Sequence, residues 1–160
     1  MPVLFPSFSS LAAELGDTMG RTLQKILETL RAPKLRVSGT ALASAARTVS
    51  TITTDISSGE YRGLILYLNV TAASGTGGLT PRLIAKDPLS GVTSVSAAAS
   101  TAATTTGLRV YHFGPGVGAL AGAGVGWGAA GVMLSANFQL QVLHGDASSY
   151  TYSLSYELLP

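Results

Sequence analysis

The chain is 160 residues long, with ten basic and eight acidic side chains, a net charge of +2 and no cysteine. That length gives one ordinary domain with a short appendage. The charge forms no Lys/Arg run, which speaks against nucleic acid as a partner, and the missing thiols exclude disulfides and thiolate metal sites.

Only 11% of residues are charged, while 46% are hydrophobic and 19 are glycine. A typical soluble domain is about 25% charged, so much of this surface is expected to be covered by neighbours in an assembly. The opening Met1-Pro2-Val3-Leu4-Phe5-Pro6 lacks a basic stretch and is broken by prolines. A secretory leader is therefore not expected, and synthesis in a reducing cytoplasm is. The sequon-like Asn69-Val70-Thr71 is read as three strand residues.

Ser9 or Ser10 can cap a helix, after which Leu11, Leu15, Met19, Leu23, Ile26, Leu27 and Leu30 recur at spacings of three and four, the signature of one apolar stripe. Glu14 and Asp17 lie early, Arg21, Lys25 and Arg31 late, and Pro33 stops the helix, in accord with the helix dipole. The basic cluster Arg31, Lys34 and Arg36 reads as the solvated end of that helix. Gly16 and Gly20 each cost about 1 kcal/mol relative to Ala, so the helix needs a surface to lie on. Leu15, Met19, Leu23, Ile26 and Leu30 are the expected interface residues. Burying five such side chains would contribute about 7–15 kcal/mol before ordering costs. The expected division is an arm and amphipathic helix over residues 1–33 and a β-sandwich domain over residues 34–160.

From Lys34 the period changes to two. The clearest strands are Tyr61 to Ala72, with Leu64, Leu66, Leu68 and Val70 on one face; Val132 to Leu143, with Leu134, Ala136, Phe138, Leu140 and Val142; and Tyr150 to Leu158, with Tyr150, Tyr152, Leu154, Tyr156 and Leu158. Such alternation predicts one buried and one wet face. Shorter candidates are Arg36 to Leu42, Thr48 to Ile56, Leu79 to Lys86, Gly91 to Ala97 and Leu108 to Phe113. Turn chemistry separates them at Gly75 to Gly78, Asp87 to Gly91 and Gly145-Asp146. The Ala/Ser/Thr tract from Ser94 to Thr106 predicts a strand running into a flexible loop. The sum is a mostly β chain: an antiparallel, jelly-roll-like sandwich of about eight strands with an N-terminal amphipathic helix.

No charged residue lies between Phe113 and Leu143, and eight glycines fall between Gly114 and Gly131 around the only tryptophan, Trp127. Residues 114–134 are long enough for a membrane span, but the glycines and Pro115 oppose a helix, so no membrane contact is expected. The stretch reads as a glycine-rich loop packing on a neighbouring subunit. In that reading Trp127 is either an interface anchor or a plain core residue. Gly126 to Gly131 spells GxGxxG, but a strand follows where dinucleotide binding requires a helix, and no cofactor is expected.

His112 and His144, the two histidines, have no ligand or carboxylate at metal spacing. His112 reads as a structural strand residue and His144-Gly145-Asp146 as a polar turn. There is no Gly-x-Ser-x-Gly elbow. Paired carboxylates for glycoside hydrolysis would have to come from Asp55, Glu60, Asp87, Asp146 and Glu157. A non-enzymatic role is expected, with a small glycan depolymerase as the enzymatic rival.

Tyr61-Arg62-Gly63-Leu64 leading into Leu66 to Ala72, then Lys86-Asp87-Pro88-Leu89-Ser90-Gly91, Leu108-Arg109-Val110-Tyr111 and the closing Tyr150-to-Leu159 strand resemble small tailed-bacteriophage virion proteins, over roughly Ala45 to Pro160. The resemblance is to β-sandwich head decoration, or cement, proteins. It implies a homotrimer seated on the major capsid protein lattice at the capsid surface, stabilising the head, with no family active site. A tail, fibre or receptor-recognition module is the alternative, with a host-surface glycan as a conceivable ligand. The glycine-rich stretch and the N-terminal helix depart from the family pattern.

Overall fold

The computed structural model describes residues 16–25, 35–99, 101–115, 128–130 and 132–160. The chain divides into two compact units, Met1–Leu35 and Arg36–Pro160. In the first, residues 16–25 form a helix, α1, in which every residue is exposed. Asp17 and Arg21, one turn apart, pair at 2.8 Å.

The second unit is mostly β, built as two sheets. One contains β1 (Val37–Arg47), β10 (Tyr150–Leu159), β4 (Gly63–Ala73), β7 (Gly107–Gly114) and β8 (Gly128–Ala130), adjacent in that order. The other contains β2 (Thr51–Ile52), β9 (Asn137–His144), β5 (Leu79–Lys86) and β6 (Thr93–Ala98), with β3 (Ile56–Ser57) also on β9. All pairings are antiparallel except the parallel contact of β7 with β8.

The two sheets bury one face each against the other. Leu64, Leu66, Leu68 and Val70 of β4, Phe138, Leu140 and Val142 of β9, and Tyr150, Tyr152, Leu154 and Leu158 of β10 form a single cluster with Leu79, Leu83, Tyr111 and Phe113. The period of two thus places every second residue in the core. Burial raises the pKa of the Tyr111 phenol.

Ten strands stand among the described residues where about eight were expected. Two differences account for the excess. The candidate Thr48 to Ile56 is broken into β2 and β3 at Thr53, a buried residue whose Oγ1 accepts the Leu140 N–H at 3.0 Å while its own N–H donates to the Leu140 carbonyl at 2.9 Å. The glycine-rich stretch, read as loop throughout, contributes the three residues of β8.

The expected strand from Val132 begins instead at Asn137. Its partner β5 ends at Lys86, opposite Asn137, because the chain turns there at Asp87; of the earlier residues, the Ala136 carbonyl accepts the Ser58 N–H at 2.9 Å, just past β3. Likewise the loop expected to be flexible after β6 is tied down. Ala99 N–H donates to the Pro81 carbonyl at 2.9 Å, Ala103 and Leu79 exchange two backbone bonds, and both alanines are buried.

β1 runs to Arg47, past the expected Leu42, because β10 templates it. Two register shifts interrupt the pairing between Thr40 and Ala45. The Arg47 guanidinium fills the gap, donating to the carbonyls of Ala43, Ala45 and Tyr152 at 2.8, 3.1 and 2.8 Å and lying 4.6 Å from the centre of the Tyr152 ring. Carbonyls that the bulge unpairs are satisfied by a side chain.

Candidate interaction surfaces

Six residues were expected at an interface. Leu15, Ile26, Leu30 and Trp127 lie outside the described residues. Met19 and Leu23 are four apart on α1, hence on one face, and are 64% and 58% exposed. Gly16 and Gly20 have open space where a Cβ would stand, so no close approach in the described chain requires glycine at either position. The helix therefore offers an uncovered apolar pair on a backbone that two glycines weaken.

A second surface was not anticipated. At one margin of the sandwich, β1 edges its sheet and β3 sits beside β9 at the margin of the other. Between them opens a groove of about 290 Å³, lined from β1 by Val37, Thr40 and Ala41, from β10 by Tyr156 and Leu158, and from the other sheet by Thr53 to Ser57. Gly39 makes the floor possible, since a Cβ there would meet the Tyr156 ring at 2.7 Å. The alternation that puts Tyr156 on the core face was legible; that the core is open beside it was not, because sheet edges are set by topology. At the rim the Asp55 carboxylate accepts from the Lys86 ammonium and from Gln139 Nε2, the latter at 2.8 Å. Lys86 in the first place holds the Asp55 carboxyl below the usual carboxylate range.

Of the candidate carboxylates, Asp55, Asp87, Asp146 and Glu157 each accept hydrogen bonds. Asp87 accepts from the Leu89 N–H at 3.0 Å and from the Ser90 hydroxyl, which with Gly91 at φ +71° closes the expected turn; Ser90 leads the lowering of its pKa. Glu157 accepts from Arg36 at 3.2 Å and from the Tyr67 hydroxyl at 3.1 Å. The Tyr67 pKa is raised, first by desolvation and then by this carboxylate.

Asp146 accepts the N–H groups of Gly77 at 2.6 Å and Ser148 at 3.0 Å, and the former leads in depressing its pKa. His144 packs edge-on to Tyr150, with ring centroids 5.4 Å apart, and burial lowers its pKa. His112 lies half-buried on β7, opposite Ile65 and Gly128. Among the described residues, no three His, Cys, Asp or Glu side chains converge on a metal position.

Residues 114–134 contribute the end of β7 and all of β8, and no helix among the described residues is long and apolar enough to cross a membrane. The chain matches no family model, no curated protein and no solved structure.

Proposed function

We propose that this chain is a jelly-roll capsid decoration protein that forms homotrimers on a major capsid protein lattice and reinforces a phage head. The fold reading is supported by strand order. With β2 and β3 counted as two halves of one strand and β8 set aside, one sheet runs first, eighth, third, sixth in chain order and the other second, seventh, fourth, fifth. That is the order produced when two Greek keys wrap into a jelly roll, an architecture common in viral shells.

Fold alone does not give function. The observation that carries the docking role is the exposed apolar pair on α1. The sandwich buries a continuous apolar cluster and leaves its exposed apolar residues on strands and turns, while α1, exposed throughout, carries Met19 and Leu23 side by side. Exposed apolar side chains on a glycine-weakened helix gain most when a partner covers them.

The experiment is to delete residues 1–31 and add the purified protein to heads lacking it. Loss of occupancy supports the reading. Undiminished occupancy removes the role of the arm and helix, and recovery of the native protein from isolated tails rather than heads would favour a tail or fibre module.

A further inference from the structure

We infer that the outer face of the sheet formed by β2, β9, β5 and β6, centred on Arg82, binds a carboxylate of another protein: an Asp or Glu side chain set among apolar neighbours. This goes beyond the role proposed for α1 and lies in the other unit of the chain.

Alternation and register fix which side chains share that face. Leu83 of β5 and Leu140 of β9 belong to the core cluster, so Arg82 and Ile84, paired with Gln141 and Gln139, stand on the opposite side. Gln141 pairs in turn with Ile52 on β2, and Ile84 with Val95 on β6. The face therefore runs across all four strands, about 14 Å.

Arg82 is the uncompensated charge of this face. Its Nε is enclosed and has no hydrogen-bond partner, whereas Nη1 and Nη2 are not enclosed and form no hydrogen bond or ion pair with a described group. Asp55, the carboxylate that reaches this face, already accepts from Lys86 and Gln139. That holds the acid at Lys86, four residues and about 13 Å along the strand from Arg82. A half-buried guanidinium has lost hydration that no counter-ion replaces, a cost removed when a carboxylate arrives. Its terminal nitrogens form a planar fork that matches both oxygens of one carboxylate. The Gln141 amide, directly opposite and also without a bond to a described group, adds a donor from a Cβ about 5 Å away.

The flanks favour a protein as the source. Ile52 and Val95, 48% and 50% exposed, lie to either side of Arg82 and Gln141, and the buried Ile84 is next to Arg82 on β5. An arginine ringed by aliphatic side chains is the composition of a protein-binding hot spot, where apolar cover keeps water from the ion pair. A second copy is the poorer source, because among the described residues every carboxylate already has a partner.

The test is a nuclear magnetic resonance titration of the isotope-labelled full chain with three probes: end-blocked Val-Glu-Val, end-blocked Val-Gln-Val, and trigalacturonate as an acidic glycan. The glutamate peptide is expected to shift the Nε–H of Arg82, the side-chain amide of Gln141 and the backbone amides of Ile84 and Val95. It should bind at least about tenfold more tightly than the glutamine peptide, and Arg82→Gln should erase that difference. The two peptides are compared on the native chain, so the result stands even where the variant unfolds. No response, equal response to both peptides, shifts spread evenly over the exposed Arg36 and Arg62, or tighter capture of trigalacturonate would each overturn the inference. Self-association abolished by Arg82→Gln would also overturn it, by making a second copy the source. Head occupancy is not read in this experiment, so loss of the capsid role leaves its outcome standing.

Discussion

The buried hydroxyl of Tyr150 donates to the carboxylate of Asp146, four residues earlier, at 3.2 Å, and accepts the N–H of Gly78 at 2.8 Å. One phenol thus joins the loop before β5 to the loop before β10. Replacing it, Tyr150→Phe, leaves a buried Gly78 N–H without its acceptor. The expected loss is about 1–3 kcal/mol, read as a lower denaturant midpoint at unchanged slope.

The same junction is tight enough to exclude a methyl group. A Cβ at Gly145 would stand 2.3 Å from the Gly77 carbonyl oxygen, whereas one at Gly91 meets nothing closer than 3.8 Å. Gly145→Ala must displace backbone and should cost about 1–3 kcal/mol or more by overpacking. Gly91→Ala should show only the strain of its left-handed φ, about 1–2 kcal/mol. Comparing the two melting curves checks the ordering.

Acid should loosen the fold through three carboxylates. Asp55, Asp87 and Asp146 all have folded pKa values below the ordinary 3.8. Below that value the unfolded chain takes up protons before the folded one does. The contribution is therefore complete above about pH 4 and is lost as pH falls toward the folded values. Melting temperature should be flat near neutrality and fall below about pH 4, and Asp146→Asn should lower the neutral plateau while reducing that acid slope.

Core residues and the proposed docking residues should separate cleanly. Leu66→Ala, at a fully buried position, is expected to cost about 2–5 kcal/mol. Met19→Ser with Leu23→Ser, on the exposed face of α1, should change stability by no more than about 1 kcal/mol, about 0.5 for each substitution. Chemical denaturation of both variants tests the contrast.

The sandwich faces were legible because burial repeats every second residue. Leu64 to Val70 and Tyr150 to Leu158 alternate without interruption, and each occupies the face so expected. Strand ends were less legible, since they depend on partners distant in sequence. Val132 to Ala136 alternates as regularly as Asn137 to Leu143 does, yet Asp87 turns β5 away before it can pair with the earlier stretch.

Small residues misled for a related reason. Ala99 and Ala103 belong to a tract of low complexity, but the Pro81 and Leu79 backbones hold them against the core. The groove at β1 had no local signal except Gly39, whose purpose emerges only once Tyr156 is seen to lie across it. On the helix, the spacing of Met19 and Leu23 was readable from sequence, and their exposure needed coordinates.

Head occupancy tests the central claim most directly, comparing the native chain with the Met19→Ser, Leu23→Ser variant at equal concentration. A folded variant that leaves heads largely bare is the expected result. Equal decoration by both proteins would contradict the claim that this apolar face holds the molecule to its lattice.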